Sequence, residues 1–180
     1  KSVSADIIIS QLGSDFDGKA LNDLFGYSVS ISSDGKVVAI GASGHDDGRS
    51  DAGQVRVFQF NGSTWVQLGS DINGEAASDN SGLSVSLSGD GTKVAIGAYL
   101  NDGNGTSAGH VRVYEYDGSD WVQLGTDIDG EAPEDQSGRS VSLSSDGTRL
   151  AIGARLNDGN GTNAGHVRVY EYDGAAWVQL

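Results

Sequence analysis

The sequence has no cysteine, no methionine and one proline among its 180 residues. Without cysteine it has no disulfide, no thiolate nucleophile and no sulfur-based metal site. Basic residues are also few, because 11 Lys and Arg stand against 25 Asp and Glu, which gives a formal net charge of −14. Binding to a phosphate backbone depends on clustered Lys and Arg, so we predict that nucleic acid is not a partner.

Long apolar runs are missing as well. No run approaches the roughly 18 residues needed to cross a bilayer, so we expect no membrane insertion, and the first residues do not have the pattern of a signal peptide. No segment keeps a helical 3.6-residue period over more than a turn. The absence of a helical period favours an all-β chain.

Repetition is the dominant feature of the sequence. Trp65–Asp120 and Trp121–Ala176 differ at 13 of 56 positions, and Ile9–Thr64 follows the same register without a gap. The 28 glycines recur at fixed places in this unit. They therefore indicate turns and close packing instead of a low-complexity segment.

Each unit is predicted to contain four short antiparallel strands. Alternating residues and Asp-Gly turns indicate them, and four strands per unit of 40–60 residues is typical of a β-propeller blade. Small residues opposite Val, Leu and Ile would let neighbouring blades approach closely. A β-solenoid or a row of small sandwiches is the alternative. The strands predicted in the third unit are Arg139–Ser144, Arg149–Ala154, His166–Tyr172 and Trp177–Leu180.

The predicted organisation is three blades and a leading strand. Asp6–Leu12 aligns with the later WVQL segments, so the chain begins on the outer strand of a preceding blade. The predicted segments are 1–18 for that outer strand and 19–74, 75–130 and 131–180 for the blades.

These units resemble the FG-GAP repeat of integrin α-subunit propellers. Phe25-Gly26 precedes a first strand, as in the family motif, and a Gly-Ala pair ends each second strand, although the family's Pro is missing. The longer sequence pattern of each unit, with the motifs SVSLS, LNDGNG and HVRVYEYDG, is similar to tandem repeats in secreted, surface-attached proteins of marine bacteria. The resemblance implies an extracellular or cell-surface propeller used for binding or adhesion, and it does not imply catalysis. The Gly-Ala pairs are Gly41-Ala42, Gly97-Ala98 and Gly153-Ala154.

One departure from the family concerns calcium. Its calcium-binding blades carry a D-x-D-x-D-G-x-x-D loop between the first two strands, whereas here that loop is a short hairpin with one carboxylate, as at Asp146-Gly147. The loops between the second and third strands are better candidates, because Asp, Asn and Thr spaced by Gly offer several oxygens to Ca²⁺. The alternative is a turn whose side chains bond their own backbone. No cofactor is required, and the predicted Ca²⁺ ligands are Asp46, Asp102, Asn104, Asp158 and Asn160.

Two further polar sets are interpreted as structural. The acidic loop Asp127–Glu131 and its relatives recur once per blade, whereas a glycosidase carboxylate pair needs one asymmetric pocket, so we expect solvated loops or turn caps. His110 and His166 match Gln54 in the first unit, and we interpret them as strand residues hydrogen-bonded to a neighbouring blade. The sequence therefore does not predict an enzyme.

The aromatic residues and the sequons each allow two interpretations. The tryptophans on the outer strands are expected to fill the wedge between blades, with a sugar-stacking surface as the alternative. Three Asn-Gly-Ser/Thr sequons predict N-glycosylation in a eukaryotic secreted protein and plain Asn-Gly turns in a bacterial one. The sequons begin at Asn61, Asn104 and Asn160.

Three blades do not close a ring, since propellers have about four to eight. We therefore expect self-association or further blades of the same polypeptide, either as a closed ring or as a head-to-tail filament. The predicted function is non-enzymatic adhesion, ligand display or structural assembly, with a glycan or protein ligand. The alternative is a calcium-dependent carbohydrate-binding module.

Overall fold

A computed structural model describes residues 10–180, and within them every regular element is a strand. The predicted all-β class of four-stranded antiparallel sheets is therefore confirmed. The strand predicted at Asp6–Leu12 lies largely outside the described residues, and Ser10–Leu24 contain no strand. The strands are β1 Phe25–Ile31, β2 Val37–Ala42, β3 Gln54–Phe60, β4 Trp65–Gln67, β5 Ile72–Asn73, β6 Ser84–Leu87, β7 Lys93–Ala98, β8 His110–Tyr116, β9 Trp121–Gln123, β10 Ile128–Asp129, β11 Ser137–Leu143, β12 Arg149–Ala154, β13 His166–Tyr172 and β14 Trp177–Gln179.

Three antiparallel meanders follow one another along the chain. The first sheet has the order β1-β2-β3-β4, the second places β6, β7, β8 and β9 in the same way, and the third is β11-β12-β13-β14. In the third repeat the predicted bounds of the second and third strands are those observed. The first strand begins earlier, at Ser137, because it continues past a bulge before Ser140. Gly138 lies in that bulge with φ 81°, a left-handed conformation that favours glycine and that Gly26 repeats in the first sheet.

The short strands β5 and β10 were not predicted. They pair with β3 and β8, beside the start of those strands, where the sequence indicated only an acidic loop. Ile72 and Ile128 are each 6% exposed and anchor the two strands in the core. A two-residue strand is too short to show an alternating period, which is why the pattern did not reveal it.

The core lies between sheets that pack face to face. Val55 and Val57 of the first sheet pack in one cluster with Val85 and Leu87 of the second. The second and third sheets repeat this arrangement with Val111 and its equivalents. Blade-on-blade packing therefore buries both faces of the middle sheet.

Close approach of the backbones at each junction depends on small residues. The Ser28 hydroxyl donates to the carbonyl oxygen of Gly82 at 2.7 Å, and Ser84 makes the same bond to Gly138 at 2.8 Å. A methyl group on Gly97 would overlap that Gly138 carbonyl. The serines and glycines of the repeated motif thus fix the distance between sheets.

Each tryptophan ties one repeat to the one before it. The indole Nε1 of Trp121 donates to the Leu68 carbonyl at 2.8 Å, and Trp121 is 8% exposed. Trp65 and Trp177 make the equivalent bonds to the preceding repeat. This placement supports wedge filling as the role of these rings.

Candidate functional site

The predicted Ca²⁺ ligands lie in exposed loops that follow the second strand of each sheet. The Asp102 carboxylate accepts the backbone N–H of Ser107 at 2.7 Å, and Asp46 and Asp158 make the equivalent bond at the same distance. Each of these aspartates therefore caps its own loop, as the Asx-turn alternative predicts. Each carboxylate is nevertheless exposed, so Ca²⁺ binding there remains a prediction.

Asn104 joins its loop to the segment that follows the sheet. Its amide nitrogen donates to the carbonyl of Gly130 at 2.8 Å. In the first repeat Gly48 stands at the position of Asn104, and the neighbouring Arg49 supplies the missing donor, with Nη1 2.8 Å from the carbonyl of Gly74. The structural requirement at this point is a donor for a backbone carbonyl, and Asn160 is the equivalent residue in the third repeat.

The sequon at Asn61 lies in the hairpin between the third and fourth strands. Asn61 Oδ1 accepts the N–H groups of Ser63 at 3.0 Å and Thr64 at 2.9 Å. Asp117 and Asp173 occupy the same position in the other repeats and make the same pair of bonds. The turn therefore needs an Asx oxygen, and glycosylation of Asn61 remains a prediction.

Another aspartate of the acidic linking segment is buried instead of solvated. Asp79 is 3% exposed, and its carboxylate accepts the N–H of Ala76 and the amide of Asn101. Asp135 repeats these contacts, so this aspartate, which follows the acidic loop, is a buried turn cap. In the first repeat His45 replaces the asparagine and lies 3.1 Å from Asp23. Burial alone would raise the pKa of the Asp23 carboxyl, but bonds from Ala20 and His45 outweigh it and lower that pKa.

The hairpins that carry the family's calcium loop elsewhere are closed by their own side chains here. Asp146 Oδ1 accepts the Ser144 hydroxyl at 2.5 Å and the Thr148 N–H at 3.0 Å. These hydrogen bonds lower the pKa of Asp146 to about 2. Asp34 and Asp90 are held in the same way.

His110 comes together with two acidic residues that the sequence analysis treated separately. The ligand atoms of Glu75, His110 and Asp127 all lie within 4.8 Å of one another. Burial and the nearby Arg112 lower the pKa of His110, although the carboxylates around it oppose this shift. His166 lies beside Glu131, with 3.6 Å between Nδ1 and Oε2. Both histidines thus face acidic side chains at the sheet junctions, a grouping that sequence reasoning missed.

Among the described residues, no helix is long and apolar enough to cross a membrane.

Comparison with protein families gives one match that covers most of the chain. The profile of the FG-GAP repeat matches residues 7–58, 73–114 and 126–170. The resemblance noted from the sequence motifs is therefore confirmed. No curated protein matches the sequence significantly.

Solved structures with a similar fold are distant in sequence. Hydrazine synthase from Kuenenia stuttgartiensis has a TM-score of 0.53 and 10% identity over 92% of this chain and 38% of its own. Putative 6-phosphogluconolactonases from Bacteroides uniformis ATCC 8492 and Bacteroides fragilis NCTC 9343 each have a TM-score of 0.56 over 84% of this chain. Their identities are 15% and 16%, and the chain spans 39% and 36% of their lengths. At this identity the likeness concerns the fold alone.

Proposed function

Since this chain belongs to the FG-GAP repeat family, we propose that it is a non-enzymatic β-propeller segment whose outer sheet faces bind further repeats. Its proposed role is adhesion, ligand display or structural assembly, outside the cell or at its surface. The further repeats belong to the same polypeptide or to a second copy of it.

The observation that carries this proposal is the exposure of apolar residues on the first sheet. Val29 is 65% exposed and Ile31 is 60% exposed. Their equivalents in the second sheet, Val85 and Leu87, are 9% and 7% exposed because the first sheet covers them. The first sheet therefore presents the same apolar surface that is covered at the internal junction.

The third sheet presents the complementary surface. Val167 is 67% exposed and Val169 is 39% exposed, whereas Val111 and Val113 are 0% and 1% exposed in the second sheet. Ser140 is also exposed, and it is the equivalent of the serines that donate to glycine carbonyls at both internal junctions. Exposed contiguous apolar patches indicate binding surfaces.

The two surfaces match each other by the rule that already operates inside the chain. At the internal junctions a face of the Val167 type packs on a face of the Val29 type. A further repeat that docks on either surface would reuse this packing and the serine-to-carbonyl bonds without new chemistry. This reuse supports binding of like repeats in a head-to-tail arrangement.

Sedimentation velocity of the 180-residue chain over a range of concentrations tests the proposal. We expect concentration-dependent association, and we expect V167K/V169K to weaken it by about tenfold or more. Desolvating two lysine ammonium groups costs more than the 1.4 kcal/mol that a tenfold change in affinity requires. V66K/V122K is the matched control, because Val66 and Val122 are 51% and 52% exposed even beside internal junctions. A chain that stays an 18.5 kDa monomer at every concentration, or associates equally in all variants, would overturn the proposal.

The non-enzymatic part of the proposal is supported by how the repeats vary. His110 is replaced by Gln54, and Glu75 by Lys19, while the packing positions of the motif keep apolar or small residues. Placement at the surface is tested by antibody labelling of intact against permeabilised source cells. Labelling that requires permeabilisation would refute it.

A further inference from the structure

A mixed group of side chains lies where the first sheet passes into the second. Glu75 follows β5, His110 is the first residue of β8, and Asp127 directly precedes β10. Their ligand atoms lie within 4.8 Å of one another. Three separate segments of the chain thus bring one imidazole and two carboxylates to a single point.

The imidazole in this group is buried without a hydrogen bond to the carboxylate that it faces. His110 is 1% exposed, and its Nδ1 lies 3.7 Å from Oδ2 of Asp127. This distance exceeds that of a hydrogen bond. A buried nitrogen aimed at a carboxylate across such a gap is the arrangement that an ion would bridge.

The first repeat shows how the same position is filled without an ion. Lys19 replaces Glu75, and its ammonium group contacts Oδ2 of Asp71, the equivalent of Asp127. Gln54 replaces His110 and donates to Asp71 at 3.2 Å and to Asn73 at 2.8 Å. Both changes occur in one repeat, and together they satisfy the aspartate with groups of the chain itself.

The second of these positions is the more negative, which favours a cation there. Lys19, Asp71 and the adjacent Arg56 carry one net positive charge, whereas Glu75, Asp127 and the adjacent Arg112 carry one net negative charge when their histidine is neutral. Asp129, which pairs with His110, stands where the first position has the neutral Asn73 and adds a further negative charge. We propose that Glu75, His110 and Asp127 bind a divalent transition-metal ion, represented by Zn²⁺, which fastens the second sheet to the segment that leaves the first. The ion does at this junction what the Lys19 ammonium does at the equivalent position.

The ligand types decide which class of ion is expected. One nitrogen and two carboxylates are three protein ligands, which leaves a position for water, as in many zinc sites. Imidazole favours Zn²⁺, Co²⁺ or Ni²⁺, whereas Ca²⁺ takes about six to eight oxygens. This site is therefore distinct in position and chemistry from the calcium predicted at the exposed loops.

Neighbouring side chains orient two of the ligands. Gln123 Nε2 donates to Oδ1 of Asp127 at 2.6 Å, which leaves Oδ2 directed at His110. Arg112 Nη1 lies 3.1 Å from Oε1 of Glu75, so its charge opposes a cation while this ion pair holds the carboxylate in place. The second oxygen of Glu75 remains for the ion. Such outer contacts usually support metal ligands.

The third repeat retains two of the three residues. Glu131 Oε2 lies 3.6 Å from Nδ1 of His166. The position equivalent to Asp127 comes after Leu180. The described residues therefore contain one such trio, and the expected stoichiometry is one tightly bound ion per chain.

Calorimetric titration with Zn²⁺ in 0.15 M salt and excess Ca²⁺, together with the visible spectrum of the Co²⁺ form, tests the site. We expect one ion per chain and a Co²⁺ spectrum of low coordination number. H110Q and E75K/H110Q copy the first repeat, where Gln54 is buried and hydrogen-bonded. We expect each variant to weaken Zn²⁺ binding by at least about 100-fold. H45N is the matched control, because the other two repeats carry asparagine there, and it should bind as the unmodified chain does.

Two further measurements keep the test decisive. Q123A should weaken Zn²⁺ binding by about 10- to 100-fold without changing the stoichiometry. In EDTA, the urea midpoint of H110Q should agree with that of the unmodified chain. Without EDTA, Zn²⁺ should raise the melting temperature of the unmodified chain and leave that of H110Q unchanged. No binding to the unmodified chain, binding that H110Q leaves intact, or several weak ions that Ca²⁺ displaces would each overturn the proposal.

Discussion

Close packing at the junction between the second and third sheets predicts how much stability the chain loses when Gly97 is replaced by alanine. Its φ is not in the left-handed region, so backbone conformation does not require glycine there. Space does, because an added Cβ would overlap the carbonyl oxygen of Gly138 and lie 2.9 Å from its carbonyl carbon. Gly97→Ala can therefore be accommodated only if the third sheet moves away.

The magnitude follows from what that movement breaks. Separation lengthens the bond from the Ser84 hydroxyl to Gly138, which is worth ~0.5–1.5 kcal/mol. Overpacking adds ~1–3 kcal/mol. We expect Gly97→Ala to lower the free energy of unfolding by about 2–4 kcal/mol, which corresponds to about 5–15 °C in Tm for a chain of this size.

Gly153→Ala is the matched control, at a concentration at which the chain is monomeric. The added Cβ meets the Ser140 hydroxyl, as that of Gly97→Ala meets Ser84, but no carbonyl of a following sheet. Both substitutions also restrict the unfolded chain equally, an effect of ~0.4–1 kcal/mol. The difference between the two, measured by urea unfolding with tryptophan fluorescence, isolates the clash between sheets. Two variants that agree within about 0.5 kcal/mol would refute the role given to close backbone approach.

Further predictions concern the tryptophan bond, the buried histidine and the exposed loops. Trp121→Phe keeps an aromatic ring but removes the bond to Leu68, so we expect a loss of about 1–2 kcal/mol in urea unfolding, and an unchanged midpoint would contradict it. Because burial and Arg112 lower the pKa of His110, the unfolded state binds more protons than the folded state near the ordinary histidine pKa of about 6.5, so in EDTA stability should fall as the pH drops through that range. H110Q should flatten this dependence, and parallel pH profiles would count against it. Calorimetric titration with Ca²⁺ and EDTA tests the predicted loop ligands, with D102N/D158N as the variant that keeps each turn bond but loses the charge; no heat and no shift in Tm would end the calcium prediction.

Much of the fold was predictable because its determinants are local and repeated. Asp-Gly pairs set the hairpins, and alternation in Arg149–Ala154 and His166–Tyr172 set two strands at their observed bounds. Small residues in the same motifs indicated close packing of the sheets. These features need no knowledge of which residues meet across the chain.

The candidate site was less predictable because it depends on contacts between residues that are far apart in the sequence. β10 has two residues and no period, so the position of Asp127 against β8 could not be seen. Without that pairing His110 and Asp127 were assigned to different roles. The available signal was the joint replacement of Glu75 by Lys19 and His110 by Gln54. Two residues that are replaced together in one repeat indicate a shared site, whereas either replacement alone would not.

The two junctions should therefore respond differently to their surroundings, although their packing is the same. Lys19 is part of the chain, so its contact with Asp71 does not depend on a bound metal ion. The equivalent point of the second repeat, around Asp127, holds two carboxylates and a buried histidine, and an ion stabilises it only in the folded state. Chelation should then loosen the chain first at Glu75 and at the β8–β10 pair, while β3 and β5 keep their protection against hydrogen exchange. A repeat that conserves its packing can thus acquire a dependence on metal through two substitutions, one at an exposed loop position and one at a buried strand position.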